Sequence, residues 1–265
     1  MKKINIVGLC FLICACATPS QRFDETALEL GFSSQILRSK QFQHKIYQTD
    51  NLVIGDVLHV YLDGDGTPWK RNRWIAEDPT ARNPLILELM KQDKNSAILL
   101  GRPCYYGLSF TLGCDSMYWT SHRYSQAVVN SMSSVLNGWL EQRTFKQLTL
   151  IGYSGGGSLA ILMADMIKGV EKVVTVAANL DVAAWSKHHG YLTLSGSLNP
   201  ADSPKISQRI KQIHFAGEDD EVVPAFIINE YAQRQENSHY HEIEKQGHAC
   251  CWKKEWVNLL AIINN

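Results

Sequence analysis

The chain has 265 residues, with 26 Lys and Arg against 26 Asp and Glu, 45% apolar residues and 20% charged ones, a globular composition rather than a disordered one. A formal net charge of zero leaves no overall field to draw the whole protein onto a phosphate backbone or an anionic membrane, so nucleic acid is not an expected partner. A polytopic membrane protein is excluded as well, because no apolar run is long enough to span a bilayer.

The first element is a leader. Lys2-Lys3 precede an apolar run from Ile4 to Cys16 broken only by Asn5, and Ala17-Thr18-Pro19-Ser20 follow. This has the basic start, short apolar centre and small-residue end of a secretory signal peptide. Ile13-Cys14-Ala15-Cys16 resembles the bacterial lipobox. The resemblance implies loss of residues 1–15, a lipid anchor on Cys16 and an exported envelope protein. With Ala17 rather than Asp next, it also implies sorting to the periplasm-facing outer membrane of a double-membraned host. Ordinary cleavage after Ala17 is the alternative, since Ala15-Cys16-Ala17 also fits the A-x-A rule. Residues 16–34 then read as a tether and 35–265 as a single domain, expected to be monomeric.

Three of the seven cysteines fall in the leader, leaving Cys104, Cys114, Cys250 and Cys251 in the body. An exported compartment favours disulfides. Cys104 with Cys114 is the expected bridge, because the two flank a Tyr/Gly-rich loop whose closure costs little entropy. Cys250 and Cys251 would be a vicinal bridge or a free pair.

In chain order, Gln35–Phe42 and Gln43–Thr49 read as an opening hairpin, and Val57–Leu62 as a strand ending in Asp63-Gly64-Asp65-Gly66. A helix is expected over Asn83–Lys91 and a strand over Ala97–Leu100. The loop Gly101–Thr120 is long enough to suggest function. Gln126–Gln142 is an amphipathic helix, with Val128, Met132, Val135, Leu136, Trp139 and Leu140 at helical spacing. Strand Gln147–Ile151, helix Gly156–Ile167 and strand Lys172–Ala177 follow, then an irregular excursion over Asn179–Pro204. Strand Gln212–Ala216, helix Ala225–Gln235, strand His239–Glu244 and helix Trp252–Ile263 complete the chain. Strands alternating with helices predict an α/β fold: a mostly parallel central sheet with helices on both faces.

The chemistry centres on Leu148-Thr149-Leu150-Ile151-Gly152-Tyr153-Ser154-Gly155-Gly156-Gly157, an apolar strand entering G-x-S-x-G and then a helix. A sharp strand-to-helix turn lifts a serine hydroxyl above the sheet and is tolerated only where neighbours lack bulk. The N–H of Gly155, at a helix start, can face a developing oxyanion. A serine needs a base and an orienting acid, here in chain order Ser, Asp, His. Gly217-Glu218-Asp219-Asp220-Glu221-Val222-Val223-Pro224 follows one strand, and Gln246-Gly247-His248-Ala249 the next.

From Gln43 onward the chain resembles the α/β-hydrolase superfamily, whose acid commonly lies in a G-x-x-D-x-V-V-P-like turn and whose base follows a Gly after the last strand. The resemblance implies an α/β-hydrolase fold with Ser154, Asp220 and His248 as the triad. Asp219 and Asp181 are rival acids. His239 and His241 are rival bases, although their i, i+2 spacing puts both on one face of a strand. The second oxyanion donor is expected from Asp65 or Gly66, where many members have His-Gly, with the Asp63 side chain bracing that loop.

The excursion 179–204 stands where such hydrolases carry a cap, is too short for a full helical lid, and resembles a segment of bacterial hydrolase-like lipoproteins. Tyr153, Trp185, Arg71 and Arg73 are candidate substrate-binding residues, the arginines for an anionic group. Tyr105, Tyr106, Trp119 and Tyr191 either line an aromatic pocket or anchor loops. The expected activity is hydrolysis of a small or medium carboxylic ester through an acyl-enzyme, with no cofactor and a small-molecule ester as partner. Amide, thioester or acyl-transfer chemistry on the same triad is one alternative, and a non-catalytic envelope scaffold is another. A metal site from His239, His241, His248, Cys250 and Cys251 has suitable ligand types but no recognised zinc spacing.

Overall fold

A computed structural model describes residues 17–49, 52–71 and 73–265. The leader read over residues 1–15, and Cys16, lie outside the described residues. Among the described residues no helix is long and apolar enough to cross a membrane.

The segment read as a tether is ordered structure. Helix α1 spans Pro19–Glu29 and strand β1 spans Phe32–Arg38. Thr18 and Gln21 form a reciprocal capping box, and Pro19 occupies the first helical turn, where its missing N–H costs nothing. Phe23 and Ala27, four apart and thus on one face, are both 1% exposed.

Strand β2 (Gln43–Thr49) pairs antiparallel with β1, and β3 (Val57–Leu62) opens the parallel part of the sheet. A small ribbon, β4 (Trp69–Lys70) and β5 (Trp74–Ile75), precedes α2 (Leu85–Gln92) and β6 (Ser96–Leu100). Next come α3 (Gln126–Leu140), β7 (Gln147–Tyr153), α4 (Gly155–Met163) and β8 (Val170–Val176). Helix α5 (Val182–His188) lies within the excursion, and β9 (Lys211–Gly217), α6 (Ala225–Gln233), β10 (Ser238–Ile243) and α7 (Trp252–Asn264) follow.

The eight-stranded sheet has the order β1-β2-β6-β3-β7-β8-β9-β10. The pairings of β1 with β2 and of β2 with β6 are antiparallel, and the other five are parallel. Core residues divide by strand period: Leu58, Val60 and Leu62 face one layer, whereas Tyr61, Ile151 and Tyr153 face the other. Helices α3, α4 and α6 cover the first face through Val128, Met132, Leu159, Ile228 and Tyr231. Helices α1, α2 and α7 cover the second through Phe23, Leu89, Trp252 and Trp256.

From β3 the chain crosses outward to β6, then returns past β3 to β7 and proceeds the other way. The sheet therefore reverses its winding between β3 and β7, and the crevice at the carboxyl ends of those strands is the natural site position in open α/β sheets. Leu62 pairs with Gly152, so the loops after β3 and β7 emerge side by side. Among the described residues, disulfides join Cys104 to Cys114 and Cys250 to Cys251.

Candidate active site

Ser154 follows β7 directly and has φ of 51°, a left-handed conformation that a non-glycine residue rarely holds. The turn survives because its surroundings are glycine. A Cβ on Gly152 would meet the Gly156 backbone, and one on Gly156 would meet the carbonyl oxygen of Leu62. Ser154 N–H donates to the Val176 carbonyl at 2.9 Å, fixing the serine over the sheet.

The acid turn leaves β9. Asp220 is buried, and its Oδ1 accepts the N–H groups of Val222 at 2.9 Å and Val223 at 2.8 Å. Its Oδ2 stands 2.8 Å from His248 Nδ1, and His248 Nε2 stands 3.0 Å from Ser154 Oγ. Serine, imidazole and carboxylate thus form one hydrogen-bonded line. The His248 backbone is pinned on two sides, its carbonyl accepting from Tyr153 Oη at 3.0 Å and Trp252 Nε1 at 3.0 Å. Tyr153, a candidate substrate contact from the sequence, commits its hydroxyl to holding the histidine loop.

The rival acids have other positions. Asp219 is exposed, whereas Asp181 caps α5 by accepting from Ala184 N at 3.0 Å and pairs with Arg234 at 3.5 Å. His239 is exposed on edge strand β10, and His241 packs against the Phe215 ring at 5.5 Å. Among the described residues no three His, Cys, Asp or Glu side chains gather as a metal site. The bridge between Cys250 and Cys251 removes two thiolates from that alternative.

The loop after β3 lies against the serine turn. A Cβ on Gly64 would sit 3.2 Å from the Ser154 Cβ. Asp63 is buried, with Oδ1 accepting the Gly64 N–H at 2.8 Å and Oδ2 the Tyr106 hydroxyl at 3.2 Å. Burial pushes its carboxyl up to about 6, against the backbone hydrogen bond and the Arg102 charge that favour ionisation. Because Asp63 takes the Gly64 N–H, the N–H groups of Asp65 and Gly66 are the loop's remaining donors.

The Asp65 side chain is held in a way the sequence did not announce. Its Oδ1 accepts from Arg102 Nη1 at 2.7 Å, and its Oδ2 accepts from Arg123 Nη1 at 2.8 Å and the Tyr124 hydroxyl at 2.6 Å. Tyr105 Oη donates to the Asp65 carbonyl at 3.0 Å. Burial pushes this carboxyl up, but Arg123 and Arg102 more than reverse the effect and hold it well below the usual carboxylate range. The carboxylate lies beside Gly155, where a side chain would collide with it. Sequence reasoning did not connect Arg102, Arg123 or Tyr124 with Asp65, and it named Tyr105 only as a pocket or loop-anchor residue, of which the bond to the Asp65 carbonyl is the loop anchor. The available signal was a carboxylate beside an oxyanion position, which requires cationic partners, with arginines at both ends of the long loop.

Trp185 is half-buried on α5, and its Nε1 donates to the Val222 carbonyl of the acid turn at 2.7 Å. Leu198 N–H donates to the Tyr124 carbonyl at 3.0 Å. The excursion therefore touches both the acid turn and the segment that clamps Asp65. Arg71 and Arg73 are exposed around the tip of the β4–β5 ribbon, and no described contact joins them to Ser154, Asp220 or His248.

No protein-family model matches the chain, and no curated protein matches its sequence. Its fold is similar to that of an α/β serine hydrolase without lid from Xanthomonas campestris, at 11% identity and a TM-score of 0.54 over 88% of this chain and 92% of that one. An α-β serine hydrolase homologue from Coxiella burnetii aligns at 16% identity and a TM-score of 0.54, over 87% and 95% of the two chains. An esterase/lipase from an uncultured bacterium aligns at 12% identity and a TM-score of 0.58, over 96% and 93%. The chain has the α/β-hydrolase fold, the class expected from its sequence.

Proposed function

We propose that the protein is a serine hydrolase that cleaves a small or medium carboxylic ester through an acyl-enzyme. The observation that carries this reading is the line from Ser154 Oγ through the His248 ring to Asp220, with spacings of 3.0 and 2.8 Å. Imidazole at that distance can accept the serine proton as Oγ bonds to the ester carbonyl carbon. Asp220 fixes the ring so that Nδ1 carries its proton and Nε2 is the free base.

The negative charge then forming on the carbonyl oxygen needs donors already in place. Gly155, first residue of α4, has no intrahelical acceptor for its N–H, and Asp65 supplies the second donor, with Gly66 next in line. His248 returns its proton to the departing alkoxide, which leaves as the alcohol. Water, deprotonated by the same ring, cleaves the acyl-enzyme to the carboxylic acid and restores Ser154. The excursion 179–204 acts as a short cap, with Trp185 facing the substrate. Amides, thioesters and acyl transfer share the first half of this cycle. The protein works as a monomer exported to the cell envelope and anchored through a lipidated Cys16.

The test is fluorophosphonate labelling, comparing wild type with Ser154→Ala and His248→Ala and locating the adduct by peptide mass spectrometry. Labelling of Ser154 that both substitutions abolish is expected. A folded wild type that does not label would favour the non-catalytic scaffold.

A further inference from the structure

The β4–β5 ribbon carries side chains that a protein in water normally covers. Trp69, Trp74 and Ile75 are 40%, 63% and 44% exposed. Trp119, Trp139, Trp252 and Trp256 are buried and Trp185 is half-buried, so the exposed indoles are both on this ribbon. Between them the sequence runs Lys70-Arg71-Asn72-Arg73, three cations and no carboxylate. Arg73 lies over the Trp74 ring at 5.5 Å, and Lys70 approaches the exposed Glu77 only to 3.9 Å. Indoles interleaved with cations suit the headgroup layer of an anionic bilayer: the ring bodies enter the acyl boundary while the cations stay at the phosphates.

The path of the chain selects a membrane as the occupant. The ribbon is tied at its base by Ala76 N to Pro68 O at 2.9 Å, Thr67 N to Pro79 O at 2.8 Å and Trp119 Nε1 to Ala76 O at 3.0 Å. Just beyond it, Asp78 Oδ2 accepts the N–H of Ser20, in the first turn of α1, at 2.9 Å. The chain before Ala17, with its apolar stretch from Ile4 to Cys16, therefore joins the body next to the ribbon's root. In the proposed form with a lipidated Cys16, the anchor enters the bilayer on this side; cleavage after Ala17 would leave the ribbon to dock without it. Gly107 is also close to Ser20, and its loop exposes Phe110 at 84% and Leu112 at 94%.

We infer that the β4–β5 ribbon, through Trp69, Lys70, Arg71, Arg73, Trp74 and Ile75, is a lipid-docking hairpin that seats the protein on an anionic bilayer. The loop at 63–66 leads directly into this hairpin and lies against Ser154, so docking holds the serine close to the headgroup layer. If the hydrolase reading is right, the ester arrives from the lipid phase; the docking itself does not depend on that reading.

The experiment reads insertion rather than turnover, which separates its failure from that of the proposed chemistry. The full chain is reconstituted with vesicles of phosphatidylcholine and phosphatidylglycerol, and tryptophan emission is compared between ordinary and brominated acyl chains. Wild type is expected to be quenched by brominated lipid, and Trp69→Ser/Trp74→Ser to lose that quenching while circular dichroism is unchanged. Lys70→Ala/Arg71→Ala/Arg73→Ala, which keeps both indoles, is expected to lose quenching on phosphatidylglycerol vesicles as partitioning at that surface weakens on the order of 100-fold. Quenching that persists in the tryptophan variant, or none in wild type, overturns the inference.

Discussion

Arg102 donates from Nη1 to Asp65 Oδ1 at 2.7 Å, with the arginine side chain 2% exposed and the aspartate 21%. Arg123 closes on the other oxygen at 2.8 Å, so one carboxylate bridges two cations, and the backbone that carries it is the loop proposed to supply an oxyanion donor. Asp65→Ala leaves both cations without their carboxylate, and a loss of about 3–5 kcal/mol in urea unfolding is expected. Asp65→Asn keeps the shape but not the charge. If the clamp positions an oxyanion donor, kcat falls on the order of 10²-fold with KM less affected. An unchanged kcat for Asp65→Asn in a folded protein would show that the clamp supports only the fold.

Asp220 presents its two oxygens to different partners. Oδ1 is fixed by the N–H groups of Val222 and Val223, leaving only the other position to face His248. In Asp220→Asn the amide oxygen must take those two N–H groups, so the amide nitrogen faces His248 Nδ1. Two donors cannot share a hydrogen bond. The ring shifts its proton to Nε2 and ceases to be a base toward Ser154. A fall in kcat on the order of 10⁴-fold is expected, with KM and circular dichroism near wild type. Asp219→Asn, at an exposed position one residue away, serves as the control and should retain activity. Inactivation by the second change and not the first would reassign the acid.

The triad geometry was legible because each member is set by local sequence. The Gly152–Gly157 run permits the turn at Ser154, and the Val222-Val223 amides fold back on Asp220 within one turn. The Asp65 clamp was not legible, since its arginines lie 37 and 58 residues along the chain and meet it only after β3, β6 and α3 pack. The bond from Tyr153 to the His248 carbonyl was hidden for the same reason, since the two residues are 95 apart. Helix α1 was hidden differently. The capping box at Thr18 and Gln21 was present, but Phe23 and Ala27 make too sparse an apolar stripe to outweigh the polar residues around them.

Asp63 gives the protein a measurable pH dependence. Its ordinary value near 3.8 is raised to about 6, chiefly by burial, so the folded state prefers the neutral acid. Below pH 3.8 both folded and unfolded forms are protonated and the group contributes nothing. Between pH 3.8 and 6 the unfolded chain ionises first, and stability falls as pH rises; above 6 the full cost, about 3 kcal/mol, is present. Asp63→Asn lacks this cost, and Tyr106 can accept from the new amide. Relative to wild type, the variant should gain about 3 kcal/mol between pH 4 and pH 8 in paired urea titrations. A stability difference that does not change with pH would mean that Asp63 ionises freely in the folded protein.

Two glycines separate conformational cost from steric necessity. Gly138 is exposed on α3, and a Cβ added there meets nothing within 4 Å. A helical glycine loses more backbone entropy on folding than alanine does, so Gly138→Ala should stabilise the protein by about 0.5–1 kcal/mol and leave activity alone. At Gly156 the added methyl meets the carbonyl oxygens of Leu62 and Asp63, which are backbone and cannot rotate aside. Relief requires α4 to withdraw from the end of β3, separating Gly155 from the Asp65 loop. Gly156→Ala should therefore lower the unfolding midpoint and reduce turnover together, whereas Gly138→Ala raises the midpoint alone. Thermal scans and ester assays on the two variants check this. Wild-type turnover in a folded Gly156→Ala protein would show that the close approach of α4 to β3 is not needed at the site.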